Sequence, residues 1–349
     1  MELQFVSRGE LKDKEWDEDT KRWSRPKVDR ETLQELNKRS NLEGGMRVMV
    51  HLVLIAGTAW LTLFAGHRHI LLAVIPFLVY CWFIGFLNGI EHEMRHNIVF
   101  SRRLDWLSDT IYFLIHVLWK GGSRNQRVSH VIHHRYTMVR DVDPEPAFPE
   151  NLTPRWVRNE LLGQLLAVIT LGIPDFFKTM WALIQRTQGR LHPMIQAQCS
   201  DKDLKFIRRE SFAVLLINLA ALAAFILLGR WDLIVLTMLA PQIGHAFAAL
   251  YHRTEHIAMM YNSNDQRLCT RGIMVSPITK FFYGGLDEHV EHHLYPGVPS
   301  RNLTRLRQAL DISIPERMNV IVCWKEIYAI ARHKEAHPDE VFIPAGMLD

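Results

Sequence analysis

The chain has 349 residues, 41 Lys and Arg against 37 Asp and Glu, and a hydrophobic share of 48%. No nucleic-acid partner is expected. Four solitary cysteines (Cys81, Cys199, Cys269, Cys323) with no CxxC exclude a disulfide framework or an iron–sulfur site.

Residues 1–44 are polar and charged, with no signal-peptide core. They read as a solvated cytosolic arm, in which Trp16 and Trp23 among basic residues also suit a membrane surface. No Asp, Glu, Lys or Arg then occurs between Arg47 and Arg68, Arg68 and Glu91, Glu210 and Arg230, or Asp232 and Arg253. Each window is about 20 residues, the length that crosses a bilayer core as helix. The spans are expected at Met46–Gly66, Ile70–Gly89, Ser211–Leu228 and Leu233–Tyr251, with Pro241 bending the last. The links at Gly66–His69 and Gly229–Trp231 are short, so the spans pair into two hairpins. The fold class is an all-α membrane protein, four transmembrane helices in two hairpins with a cytosolic helical cap. Residues 45–300 form the membrane domain and 301–349 a cytosolic C-terminal region whose helices are expected at Arg301–Asp311 and Arg317–Lys334.

Histidines cluster at the ends of these spans. The chain holds His92 and His96; then His130, His133 and His134; then His252 and His256; then His289, His292 and His293. The two HxxHH boxes place three imidazoles on one helix face, and each HxxxH pair places two. Ten buried imidazoles with no partner would strand many polar atoms, and metal ions satisfy them. A lone zinc takes three or four ligands, so nine or ten donors imply two metals.

Leu104–Trp119 is too short to cross, and a crossing would put the first two clusters on opposite sides of the membrane. It is expected to lie in the interface, with His116 structural. The same parity lays Asn159–Gln188, broken by Pro174, along the interface. Lys and Arg crowd the segments around the clusters, which assigns both termini and the metal site to the cytoplasm.

Around the clusters, Asn88 stands as an outer hydrogen-bond partner of the site or an interhelical one. Asp141 and Asp143 orient imidazoles or form a turn. Glu93, Glu255 and Glu291 adjoin histidines and either accept a second ring N–H or stay at the surface. His245 sits about two turns into the fourth span on the stripe of His252 and His256, as a tunnel-lining residue or a helix–helix contact.

The three boxes in this order, the spans before the first and third, Thr137 with its Asp-rich turn, and His292-His293-Leu294-Tyr295-Pro296 together resemble the membrane fatty acid desaturase/hydroxylase superfamily over residues 45–300. The resemblance implies two Fe ions, O2 as co-substrate and two electrons from an outside carrier. By position it implies His92, His96, His130, His133, His134, His289, His292 and His293 as ligands, and His256 as a ninth. Where the family often has Asn, this chain has His252, which binds directly, through water, or only lines the site. No His-Pro-Gly-Gly motif of a fused cytochrome is present, so a ferredoxin or similar reductase system is the expected donor. The expected function is desaturation of a lipid acyl chain, with hydroxylation of an alkyl chain or small metabolite as the alternative. A metal or proton transporter needs polar residues along its spans, and a bis-histidine haem carrier needs two or four spanned histidines rather than clusters at one end.

Overall fold

The computed structural model describes residues 3–17, 23–146 and 148–347. In chain order its helices are α1 (Arg30–Leu36), α2 (Asn41–Arg68), α3 (Ile70–Arg95), α4 (Asp105–Trp119), α5 (Ser123–Arg135), α6 (Pro154–Ile169), α7 (Ile173–Thr187) and α8 (Pro193–Gln198). There follow α9 (Asp201–Leu227), α10 (Trp231–Ile234), α11 (Ala240–His252), α12 (Gln266–Cys269), α13 (Pro277–Tyr283), α14 (His289–Leu294), α15 (Leu303–Ala309) and α16 (Val320–Ala336). The chain divides into two compact units. A histidine unit comprises residues 1–38, 129–162 and 250–349, and a helical unit comprises 39–128 and 163–249.

Four helical stretches are long and apolar enough to cross a membrane: Arg30–Arg68, Ile70–Arg95, Asp201–Leu227 and Trp231–Glu255. They cover the four expected spans to within one residue, the third ending at Leu227 instead of Leu228, and extend them by polar turns. Helix α2 starts where the Ser40 side chain accepts from the Glu43 N–H, and a single extended residue, His69, separates it from α3. His69 is more than the loop residue its sequence suggests, because its Nδ1 accepts the Leu71 N–H at 3.3 Å and so caps α3. A Cβ on Gly66 would lie 3.7 Å from that of Ala73, His51 Nε2 is 2.8 Å from the Phe83 carbonyl, and Arg47 pairs with Glu93. These partners run in opposite order along α2 and α3, so the two helices are antiparallel. The Arg47 pair also corrects the surface reading of Glu93, which is buried.

The fourth candidate span is 56% buried, the first and third 22%, so the fourth is the innermost. It crosses α3 at two glycines: a Cβ on Gly85 would lie 2.0 Å from the Gly244 carbonyl oxygen. The fourth span runs through Pro241 as one stretch, and its departure from the α-helix lies just before the proline. Val235–Leu239 winds as a π-helix, with the Ala240 N–H bonded to the Val235 carbonyl. Pro241 has no N–H to give, and the carbonyls four and five residues before it, those of Thr237 and Leu236, take side-chain donors instead. The Tyr80 hydroxyl donates to Leu236 at 3.1 Å, and the buried Lys120 ammonium donates to Thr237 at 2.6 Å and to Leu118 at 2.8 Å. Lys120→Met is therefore expected to cost about 1–3 kcal/mol, the penalty of a buried acceptor without a donor. Adding Pro241→Ala should restore part of the melting temperature in detergent; a double variant no more stable than the single one would remove this role.

The segment expected to break at Pro174 breaks earlier. α6 and α7 bend by 101° across residues 170–172, and Pro174 serves as a first-turn residue of α7. Helix α4 covers the short segment expected not to cross, and His116 within it is structural: its Nε2 is 3.1 Å from Glu91, which also accepts from Arg95 at 2.8 Å.

In the histidine unit, two departures from an all-α expectation appear. β1 (Gln4–Ser7) pairs antiparallel with β4 (Glu340–Ile343), and β2 (Ile273–Met274) pairs with β3 (Met318–Asn319). The described arm is mostly exposed or half-buried but is anchored at a few positions. The rings of Trp16 and Trp23 meet at a tilt with centroids 4.9 Å apart, Trp16 meets Tyr136, and the Trp23 indole N–H donates to the Arg135 carbonyl at 3.1 Å. Leu36 of α1 joins Val290, Leu294, Leu303 and Leu306 in a core behind the third histidine box. Helix α15 lies within the expected Arg301–Asp311, and α16 overlaps the expected Arg317–Lys334 and runs two residues beyond it.

Candidate metal centre

In the histidine unit the imidazoles converge in two groups. The donor atoms of His133, His256, His289 and His293 all lie within 4.8 Å of one another, and so do those of His130, His134 and His292. His130, His133 and His134 come from the last turns of α5, and His289, His292 and His293 from the two turns of α14. The left-handed glycines Gly284 and Gly285 let the chain turn into α14; at Gly285 (φ 75°) a Cβ would meet that of Ser300 at 2.3 Å. His256 follows a tight turn, Arg253–Glu255, after α11. In the helical unit, His92 and His96 pair at the end of α3, with ring centroids 5.3 Å apart. His252 closes α11 half-buried and stands outside both groups, and His245 packs edge-on against Trp119 at 4.7 Å.

Four rings have their outer nitrogen fixed. His133 Nδ1 is 2.8 Å from Asp143, His130 Nδ1 3.1 Å from Glu145, and His256 Nδ1 2.9 Å from the Cys269 carbonyl. The Thr137 hydroxyl donates to the His133 carbonyl at 2.7 Å, so it accepts from His293 Nδ1 at 3.2 Å. Each of these imidazoles then carries its proton on Nδ1 and turns a bare Nε2 inward. Burial keeps the rings neutral: it pushes His256 down to about 3, and His289 and His293 well below the usual histidine value.

The inner nitrogens crowd each other. His289 Nε2 is 3.0 Å from both His256 Nε2 and His293 Nε2, and His134 Nε2 is 3.0 Å from both His130 Nε2 and His292 Nε2. A ring nitrogen has one in-plane lone pair or one proton, so it cannot make two such hydrogen bonds. Bare nitrogens facing one another need a shared cation. Two donors 3.0 Å apart subtend about 90° at an ion roughly 2.1 Å from each, a metal–imidazole distance. That angle suits a six-coordinate metal such as iron better than tetrahedral zinc, so the residues fit the implied metals.

Of the carboxylates singled out in the sequence, Asp143 holds a ring and Asp141 does not; Asp141 is an exposed turn residue with φ 61°. Glu255 accepts the Tyr283 hydroxyl at 2.5 Å, and its other oxygen is 3.5 Å from His289 Nε2, on the inner side rather than the outer. Glu291 is buried and pairs with Arg307 at 2.6 Å instead of with a ring N–H. Asn88 is half-buried within α3.

The sequence reading missed Glu145, whose signal was its place in the Asp-rich turn, and Arg271, which had none. Arg271 is buried and paired with Glu326 at 2.9 Å. Its guanidinium donates to the carbonyls of Thr254 (2.5 Å) and Ile257 (3.0 Å), and its N–H to that of Glu255 (2.7 Å), which clamps the turn carrying His256. Arg271→Lys keeps one charge but loses the fork. It is expected to lower metal retention about 10- to 100-fold, as loss of a ligand's supporting contacts does. A variant with unchanged metal content after dialysis would show that the clamp does not position His256.

Two comparisons bear on this arrangement. The family model described as fatty acid desaturase matches residues 68–321. A protein from Dimorphotheca sinuata named acyl-lipid (9+3)-(E)-desaturase is 23% identical over 273 residues, covering 72% of this chain and 66% of that protein's length. The matched region takes in all three boxes and both imidazole groups, and on that ground the chain belongs to the fatty acid desaturase family.

Proposed function

We propose that the chain is an O2-dependent di-iron oxidoreductase that desaturates the acyl chain of a membrane lipid. The observation that carries this reading is the pair of crowded Nε2 clusters, each with one nitrogen 3.0 Å from two others. His133, His256, His289 and His293 would hold one iron. His130, His134 and His292 would hold the other, completed by His92 and His96, whose i, i+4 spacing aims both rings one way. Bound as a pair, the irons would supply the activation of O2 that an inert C–H bond demands. O2, two electrons and two protons enter, two hydrogens leave neighbouring carbons, and an alkene and two waters result.

The chain's own residues fix the site. Asp143, Glu145, Thr137 and the Cys269 carbonyl keep the ring protons on the outer nitrogens, so the inner ones stay available. Glu255 lies close enough to His289 to offset positive charge or to hold a water. The candidate spans would form two hairpins with the boxes and both termini on the cytoplasmic side. His245 would line the acyl tunnel, and His252 would act from its edge. Electrons would come from a ferredoxin or similar reductase system. The acyl-lipid wording in the relative's name supports a lipid substrate.

The test is expression in a lipid-producing host with and without His292→Ala, under labelled O2. A new alkene in the wild-type extract alone is the expected result. An alcohol carrying the label would assign hydroxylation instead, and identical profiles would sink the reading.

A further inference from the structure

The helical unit carries a cleft of about 1050 Å³ formed by α4, the start of α5 and the first turns of α9. Five cations and four carboxylates line it, and most are taken. Arg124 donates to Asp203 at 2.7 Å and Arg127 to Asp109 at 2.8 Å. Glu210 accepts from the Ser123 hydroxyl and, at 3.0 Å, from the Arg124 N–H. Lys202, Lys205 and Arg209 remain, with no ion pair among the described residues and only Asp201 left to oppose them. Their spacing of i, i+3 and i+7 puts them on one face of α9.

Further along α9, the side chains take the order of a bilayer leaflet. Phe206, 53% exposed, sits between Lys205 and Arg209, and beyond them come the outward apolar residues Phe212, Leu216 and Leu219 of the same candidate span. Cations at the headgroup level, an aromatic ring at the interface and an apolar face beyond it form the pattern that receives an anionic lipid. The cleft also touches the first box. Arg127 donates at 3.2 Å to the Met94 carbonyl, between His92 and His96, and lies 5.0 Å over the Tyr112 ring.

We propose that this cleft binds the phosphate-bearing headgroup of an anionic membrane lipid, with Lys202, Lys205 and Arg209 as its counter-charges. The proposal deepens the acyl-lipid reading and rests on it, by naming the carrier of the acyl chain as a phospholipid. The cleft is much larger than a free carboxylate needs, and a glycerophosphate headgroup uses both its volume and its charge.

The test is lipid binding by the purified full chain in detergent, with dioleoyl phosphatidylglycerol, dioleoyl phosphatidylcholine and inorganic phosphate as separate probes. Phosphatidylglycerol is expected to bind at least about tenfold more tightly than phosphatidylcholine, and less tightly as salt rises. The Lys202→Ala/Lys205→Ala/Arg209→Ala variant should weaken phosphatidylglycerol binding by roughly fivefold per cation removed and leave phosphatidylcholine unchanged. Equal binding of the two lipids, or a triple variant that binds like wild type, overturns the proposal. Inorganic phosphate competing as well as the lipid would assign a free-anion site and also overturn it. If the triple variant melts early, the single variant Lys205→Gln carries the same comparison. Binding is scored without turnover. A phosphatidylglycerol preference with no alkene product leaves the site standing and sinks only the reaction, whereas an alkene product with no preference sinks only the site.

Discussion

Replacing His293 by alanine is expected to leave detergent-extracted protein with one iron or fewer per chain, against two in the wild type, and to abolish alkene formation. His293 Nε2 lies 3.0 Å from His289 Nε2, and its ring is 4.3 Å from that of His134, so it belongs to one group and abuts the other. Losing it removes a donor and leaves bare nitrogens crowded around a cavity. The milder variant Thr137→Val keeps the imidazole but removes the acceptor for its Nδ1 proton. That change should cost about 10- to 100-fold in metal affinity, the usual effect of deleting an outer partner. The two variants give a graded series in metal content measured independently of turnover. A His293→Ala protein that still holds two ions would end the assignment of this residue as a ligand.

The second large effect is expected at the crossing of α3 and α11. A Cβ on Gly244 would lie 2.6 Å from the Cys81 carbonyl oxygen and 2.7 Å from the Gly85 nitrogen. Both are backbone atoms inside helices, so neither can move aside as a side chain can. Gly244→Val should therefore force the helices apart and cost about 3 kcal/mol or more, the upper range for overpacking. Early thermal unfolding and loss of monodisperse protein after extraction are the readouts. Gly57→Ala in α2 is the control. A Cβ there meets nothing within 4 Å, and the change should stabilise the helix by up to about 1 kcal/mol. Equal behaviour of the two variants would contradict the close approach.

Periodic and compositional features were legible in the sequence. Charge-free windows located the candidate spans, and histidine spacing located the boxes, because helix geometry maps both directly from one dimension to three. Leu104–Trp119, read as too short to cross, is not among the candidate spans. Contacts between remote segments had no such signal. Glu93 and Arg47, Arg271 and Glu326, and Gly85 and Gly244 are joined only once the chain has folded. The outer partners fall between these cases. Asp143 and Glu145 lie close to box two in sequence, yet only the turn's backbone decides that Asp143 reaches a ring and Asp141 does not. The polar composition of the arm likewise hides a few apolar anchors, Leu36 above all, that find their partners some 250 residues later.

The strand pairing of Gln4–Ser7 with Glu340–Ile343 bears on biogenesis. The unit that gathers most of the imidazoles is assembled from three separate lengths of chain, and its sheet joins the earliest of them to the latest. A ribosome that has already released the apolar helices to the bilayer still holds back the piece that fastens this unit. On the proposed di-iron reading, metal loading would be a late step, taken up by a polypeptide whose apolar helices are already made.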